Sequence, residues 1–165
     1  MNKLEGKIAI VTGRAKGIGE ATVQLFARYG AKEVIADVTD IALNALANPL
    51  GPLVSLIHCD ISLKQNIEYF ISSSVSRYGR FNVLLNNAGV LGNQPKHRNI
   101  VDFDVNEFDR VMNVNIQGTA LGMKHAAHAM IPMGAGCFIS ISNVEGVMDG
   151  LSLMLILLQS MQLLG

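Results

Sequence analysis

A glycine-rich segment near the amino terminus has the composition and spacing of a loop that holds phosphate groups. The residues Thr12-Gly13-Arg14-Ala15-Lys16-Gly17-Ile18-Gly19 follow a short β-branched segment and precede a segment with helical apolar spacing. Glycines permit a sharp turn and a close approach of the backbone to a pyrophosphate, and the following helix offers free N–H groups at the positive end of its dipole. The spacing is G-x-x-x-G-x-G rather than G-x-G-x-x-G. Ordinary turns also use glycine, but the position between a strand and a helix predicts nucleotide binding.

A carboxylate at the end of the second predicted strand favours NAD over NADP. Asp37 ends the segment Glu33-Val34-Ile35-Ala36-Asp37, about 20 residues beyond the glycine loop, where a carboxylate accepts hydrogen bonds from the adenosine ribose and repels a 2′-phosphate. Two alternatives stay open. Asp37 would equally serve as the cap of the next helix, and Arg14 and Lys16 are basic residues of the kind that hold a 2′-phosphate.

Short apolar segments alternate with longer amphipathic ones along the chain. This order predicts an α/β fold with a doubly wound, Rossmann-like parallel sheet of about five strands and helices on both faces, followed by an apolar tail. The predicted strands are 7–12, 33–37, 53–58, 81–86 and 136–142. The predicted helices are 18–29, ended by Gly30; 39–47; one capped by Ser62 and ended by Gly79; and a long one from Asp104 to about Met130.

The bulk composition excludes several classes of function. The 165 residues fit one domain, with 50% hydrophobic residues, 16% charged residues and a formal net charge of +0. That balance gives no electrostatic case for nucleic acid or a membrane surface. Cys59 and Cys137 do not make a disulfide framework and fit a reducing, cytoplasmic compartment. The amino terminus is too charged for a signal peptide, the apolar tail is shorter than the ~20 residues of a membrane span, and no metal site is predicted.

Four motifs in order resemble the short-chain dehydrogenase/reductase family. Residues 12–19 match its T-G-x-x-x-G-x-G, and 86–89 match its N-N-A-G. Residues 113–115 (Asn-Val-Asn) lie where the family has the asparagine of its catalytic helix, and 59–61 (Cys-Asp-Ile) follow the third strand, where it has an aspartate near the adenine. The resemblance covers roughly residues 4–152. Residues 85–130 are similar to plant members that act on terpenoid, hormone or lignan alcohols, such as secoisolariciresinol, xanthoxin and momilactone dehydrogenases.

The resemblance implies NAD as cofactor, a small alcohol or ketone as substrate, and a role for each matched residue. Asn115 is expected to hold a water in a proton relay. Alternatives remain open, since Asn86 and Asn87 would suit a turn at a strand end and Asn115 would suit a buried amide that bends a helix. The residues expected to bind the cofactor are Thr12, Gly13, Lys16, Gly17, Ile18, Gly19, Asp37, Asp60, Ile61, Asn87, Ala88 and Gly89.

The family's acid–base residues have no counterpart in the chain. Family members use a tyrosine as acid and base, and a lysine four residues later stabilises the phenolate, because a free tyrosine near pKa 10 is a poor base at neutral pH. Four residues after Tyr29, Tyr69 and Tyr78 stand Glu33, Ser73 and Asn82. Family members also use a serine to orient the substrate carbonyl, and Asn143 aligns with that catalytic serine. The expected protein is therefore an NAD-dependent alcohol dehydrogenase or ketone reductase by descent, inactive as written. The alternatives are a non-catalytic dinucleotide-binding or interaction module and an unstable truncated product.

The final segment, 153–165, does not follow the family pattern. Codons for LMLILLQSMQLLG can be chosen that read HAYTASKHAVV in another frame, with Y-x-x-x-K inside. The hypothesis is an incomplete domain over 1–152 followed by an out-of-frame reading of the catalytic segment, and the alternative is an ordinary apolar helix. In either case the fifth strand becomes a sheet edge, and half of the surface through which family members form homo-oligomers is absent. Poor solubility is therefore expected.

Overall fold

The structure is a computed structural model that describes residues 2–13, 17–39, 53–92, 101 and 103–141. Several sequence predictions fall outside these residues. They concern Arg14 and Lys16, the helix 39–47 beyond Thr39, Asn143 and the tail 153–165.

Five parallel strands form one sheet, as the alternation of segments predicts. In chain order they are β1 (Ile8–Thr12), β2 (Lys32–Asp37), β3 (Val54–His58), β4 (Val83–Asn86) and β5 (Cys137–Ser140). Their order across the sheet is β3-β2-β1-β4-β5, and every neighbouring pair is parallel. The direction of winding therefore reverses between β1 and β4, which is the defining feature of a doubly wound sheet.

Helices lie on both faces of the sheet. They are α1 (Ile18–Arg28), α2 (Lys64–Tyr78), α3 (Val105–Met112) and α4 (Thr119–Met130), with a π-helical turn (Asn113–Gly118) joining α3 to α4 and a 3-10 turn (Ile131–Met133) after α4. The larger core packs α2 and α4 against one face, and a smaller core packs α1 against the other. None of these helices is long and apolar enough to cross a membrane.

The predicted helix ends are partly confirmed. Asp104 caps α3, because its side chain accepts hydrogen bonds from the N–H groups of Asn106 and Glu107, and Gly79 ends α2 with a φ of 73°. The predicted cap at Ser62 is wrong. Both the N–H and the hydroxyl of Ser62 donate to Asp60 Oδ1, at 2.9 and 2.7 Å, and α2 begins after Leu63 without a side-chain cap.

The long predicted helix is present but is not a continuous α-helix. Its middle segment, the 6 residues Asn113–Gly118, is π-helical, and the periodicity of the sequence did not predict this. A π-helical turn adds backbone to a helix and changes the direction in which the following side chains point. Within this turn, the Asn115 side chain contacts Val90, which lies in the segment after β4.

Candidate nucleotide-binding site

Most of the predicted site residues lie at the carboxyl ends of β1, β2, β3 and β4. The sheet register pairs Thr12 at the end of β1 with Ala36 on one side and Asn86 on the other. Because the carboxyl ends of parallel strands lie on the same side of a sheet, Gly13, Asp37 and the N-N-A-G turn meet there. The winding reverses between β1 and β4. Open α/β sheets bind ligands in the crevice beyond the carboxyl ends of the two strands at such a reversal.

Gly13 lies directly against the N-N-A-G turn. Its φ is +69°, and a Cβ built at this position would lie 2.6 Å from Ala88 N and closer still to Ala88 Cα. The Gly13 N–H donates to the carbonyl of Ala36 at 2.9 Å. A side chain is therefore excluded both by the backbone conformation and by the contact with Ala88.

Reciprocal hydrogen bonds tie β1 to the same turn. Thr12 Oγ1 accepts from the N–H groups of Asn87 and Ala88, at 3.2 and 3.3 Å. Asn87 Nδ2 in turn donates to the carbonyls of Thr12 and Gly13. Asn86 is buried and bonds instead to Ser140 on β5. The two adjacent asparagines therefore brace different strands, and Asn87 is the one that holds the loop.

The two predicted carboxylates each close a local turn. Asp37 Oδ1 accepts from the N–H of Thr39 at 3.0 Å, and Asp60 Oδ1 accepts from Ser62. Asp37 is buried at the end of β2, and its carbonyl accepts from the N–H of Cys59 just after β3. The structure therefore brings both carboxylates to neighbouring strand ends. Their predicted roles beside the ribose and the adenine stay predictions.

Ile61 lies in the core, with its side chain against the π-helical turn. It is 7% exposed, and a Cβ at Gly118 would lie 2.8 Å from the Ile61 carbonyl oxygen and 2.9 Å from its Cδ1. Close packing of the segment between β3 and α2 on the long helix therefore depends on Gly118, a residue that no sequence motif singles out. The adenine contact predicted for Ile61 stays a prediction.

Asn115 uses its whole amide to hold one residue. Its Oδ1 accepts from the N–H of Val90 at 2.8 Å, and its Nδ2 donates to the Val90 carbonyl at 3.0 Å. Gly89 packs against the same side chain, since a Cβ there would lie 3.4 Å from Asn115 Oδ1. The Asn115 side chain therefore fixes the segment after the N-N-A-G turn, and the predicted proton relay stays a prediction.

Arg110 holds the next residue of this segment and was missed at the sequence level. Its Nη2 donates to the Leu91 carbonyl at 3.2 Å, and its guanidinium pairs with Glu107 at 2.8 Å. The hydrogen bond to Glu107 raises the pKa of Arg110. The spacing of Glu107 and Arg110 does indicate a pair on one helix face, but only the fold shows that Leu91 lies beside it.

The two cysteines are expected to differ sharply in reactivity. Cys59 is 2% exposed, and burial, with a smaller effect of the nearby Asp60 charge, raises the pKa of its thiol to about 11. Cys137 is exposed. Since the thiolate is the reactive form, a thiol reagent at pH 8 should label Cys137 roughly 100-fold faster than Cys59, as read by peptide mass spectrometry. In the unfolded chain the reagent should label both cysteines. Equal labelling rates of Cys59 and Cys137 in the folded chain would contradict the buried position of Cys59.

Comparisons with known proteins agree with this fold. A family model described as short chain dehydrogenase matches residues 7–154. The sex determination protein tasselseed-2 of Zea mays is 53% identical over 151 residues, which are 90% of this chain and 45% of that protein. Secoisolariciresinol dehydrogenase of Forsythia intermedia is 40% identical over 149 residues, which are 90% of this chain and 53% of that protein.

A solved structure extends the likeness to three dimensions. The 3-ketoacyl-(acyl-carrier-protein) reductase of Brucella melitensis, complexed with NADH, superposes with a TM-score of 0.79 at 29% identity, over 87% of this chain and 59% of that one. The resemblance to plant members and the Rossmann-like fold are thereby confirmed. The chain spans about half the length of the curated relatives that it matches.

Proposed function

This chain belongs to the short-chain dehydrogenase/reductase family, and from that premise we propose that it binds NAD at the carboxyl ends of β1, β2 and β4. The observation that carries the proposal is the close approach of Gly13 to Ala88, where no side chain fits. Gly13 thereby makes the tight turn out of β1 that precedes a helix amino terminus, the place where such sheets bind a pyrophosphate. When bound, a nicotinamide cofactor supplies hydride transfer with a secondary alcohol or ketone, the substrate class that we propose.

The residues present fit such a cofactor. Gly17 is the N-cap residue of α1, with a φ of 67° and no side chain to cap the helix, and a Cβ at Gly17 would meet nothing within 4 Å. Among the described residues, no side chain caps the first N–H groups of α1, and the helix dipole favours an anion there. Gly13, Gly17, Ile18 and Gly19 would hold the pyrophosphate, and Lys16 belongs to the same loop.

Asp37 is proposed to set the preference for NAD. Its carboxylate belongs to the last residue of β2, beside the end of β1, where it would accept hydrogen bonds from ribose hydroxyls and repel a 2′-phosphate. In this proposal Asp60 and Ile61 flank the adenine, and Thr12 and Asn87–Gly89 line the ribose.

The Asp37→Asn variant should shift this preference without breaking the turn. The amide oxygen can still accept from the Thr39 N–H, but the negative charge is gone. The ratio of the Kd for NADPH to the Kd for NADH is expected to fall roughly tenfold, measured by the fluorescence of bound reduced cofactor. Asp60→Asn serves as the matched control, because its carboxylate lies at the adenine and should leave the ratio unchanged. An unchanged ratio in Asp37→Asn would mean that other residues determine the preference for NAD over NADP.

We propose that this chain binds the cofactor but does not catalyse the oxidation of alcohols. No tyrosine in the 165 residues has a lysine four residues later, and Asn143 aligns with the catalytic serine. A polypeptide of these residues should therefore bind NADH with 1:1 stoichiometry in calorimetry and show no oxidation of secondary alcohols. In this proposal Asn115 keeps its relay position, but the tyrosine, lysine and serine of the family's relay are absent. Turnover above that of a heat-unfolded sample would refute this proposal.

The absence of a tyrosine with a lysine four residues later in the 165 residues also supports a second candidate function, a non-catalytic dinucleotide-binding module.

We propose a cytoplasmic location for either function. We also propose that residues 1–152 form the nucleotide-binding domain and that 153–165 arise from a shifted reading frame. Sequencing the transcript across these codons tests the last point, since codons incompatible with the overlapping HAYTASKHAVV reading would refute it.

A further inference from the structure

A small cavity lies between the sheet and the long helix that α3, the π-helical turn and α4 form. Two polar residues at strand ends, Thr12 and Asn86, line it together with Gly118 and Gly122 of the long helix. The rest of the lining consists of apolar side chains of the larger core. The volume open to the centre of a water molecule is about 10 Å³. One water needs roughly 10–15 Å³ of such volume, so the cavity has the size of a single water.

Two oxygen atoms face the long helix at this cavity. A Cβ at Gly118 would lie 2.8 Å from the Ile61 carbonyl oxygen, and a Cβ at Gly122 would lie 2.9 Å from Asn86 Oδ1. Gly118 and Gly122 are four residues apart, so they lie on one face of the helix, where Cβ positions are about 5–6 Å apart. The two oxygens therefore lie along the same helix face, about one turn from each other.

Neither oxygen accepts a hydrogen bond from the residues that the structure describes. The Asn86 amide donates through Nδ2 to Ser140 Oγ, but no donor reaches its Oδ1. The carbonyls of Asp60 and Leu63 accept from N–H groups near the start of α2, whereas the Ile61 carbonyl between them does not. Ile61 and Asn86 are both buried, and a buried acceptor without a donor is costly. The glycines offer only Cα hydrogens, which are weak donors.

We propose that this cavity binds one water molecule, which donates one hydrogen to the Ile61 carbonyl and the other to Asn86 Oδ1. Two hydrogen bonds of about 2.5–3.0 Å bridge acceptors that are about 5 Å apart, which is close to the spacing of the two glycine positions. The water thereby ties the segment between β3 and α2 to the end of β4. This inference is independent of whether NAD binds.

Water contacts at the two glycines test the proposal in the folded 165-residue chain. NOESY and ROESY spectra of the isotope-labelled chain should show cross-peaks between water and the α-hydrogens of Gly118 and Gly122. Their signs should be those of a water that tumbles with the protein. Glycine has no exchangeable side-chain hydrogen that would produce such signals itself. A crystal structure should place this water about 2.5–3.0 Å from both oxygens.

Two substitutions show where the water lies. Gly122→Ala places a methyl group in the cavity and should abolish the water cross-peak at Gly118. Gly134→Ala adds the same methyl group after α4, where a Cβ would meet nothing within 4 Å, and should retain both cross-peaks.

The proposal is overturned if the parent chain shows no water cross-peak at either glycine, since Cα–H contacts alone would then face the two oxygens. It is equally overturned if the water bonds to only one of the oxygens, or if Gly122→Ala keeps the cross-peak at Gly118. If Gly122→Ala does not fold, the spectra and the crystal structure of the parent chain decide.

Discussion

Replacing Gly13 with alanine is expected to abolish NADH binding and to lower the free energy of unfolding by about 3–5 kcal/mol. Two costs add at this position. The φ of +69° is strained for any residue with a Cβ, and the new methyl group would lie 2.6 Å from Ala88 N. The obstacle is backbone, which cannot rotate away as a flexible side chain would. Relief requires β1 and the N-N-A-G turn to separate, and both line the proposed site.

A second glycine serves as a control that distinguishes the cost of backbone strain from the cost of the steric clash. Gly79 ends α2 with a φ of +73°, and a Cβ there would meet nothing within 4 Å. Gly79→Ala should therefore cost only the backbone strain of about 1–2 kcal/mol and leave NADH binding unchanged. Urea denaturation of both variants measures the difference. Equal losses of stability would mean that the contact between Gly13 and Ala88 is looser than described.

Replacing Asn115 with aspartate is expected to lower the free energy of unfolding by about 2–3 kcal/mol. The variant keeps an oxygen to accept from the Val90 N–H but loses the Nδ2 donor. A carboxylate oxygen then faces the Val90 carbonyl, which the amide nitrogen now meets at 3.0 Å. Weaker NADH binding should accompany the loss, because Val90 follows directly on the turn proposed to line the ribose.

The pH dependence identifies the cause of this loss. Repulsion from the carbonyl raises the pKa of the introduced carboxyl in the folded state, so the protonated form is favoured and can donate to Val90. The stability difference from the parent chain should therefore shrink as the pH falls towards about 4 and be largest near neutrality. Asn113→Asp, at an exposed position in the same turn, should change stability by no more than about 0.5 kcal/mol at any of these pH values. A difference that does not vary with pH would argue against the Val90 contact as the cause.

The strands and most helices were predictable because their signals are local. A buried β-branched run such as Ile8–Val11 has few alternatives to a parallel strand, and the capping by Asp104 needs only its neighbours in sequence. The predicted cap at Ser62 was wrong for a reason that is also local, since Asp60 competes for the same hydroxyl. The family motifs located the strand ends that converge on the site.

The π-helical turn could not be predicted because its causes are distant in sequence. In this segment Asn115 contacts Val90 and Gly118 contacts Ile61. The spacing of apolar residues along the sequence does not indicate either contact. The same holds for Arg110, whose contact with Leu91 spans 19 positions. The proton relay assigned to Asn115 stays a prediction, and the structure adds that the Asn115 side chain holds the backbone of Val90 in place.

The reciprocal bonds between Thr12 and Asn87 have a further consequence for ligand affinity. Hydroxyl, amide and carbonyl groups at the ends of β1 and β4 satisfy one another within the protein, so the turn is ordered without a ligand. A preorganised site loses little conformational entropy on binding. Affinity for the dinucleotide is then linked to the local stability of two strand ends, and a substitution that frays them weakens binding even where it touches no atom of the cofactor.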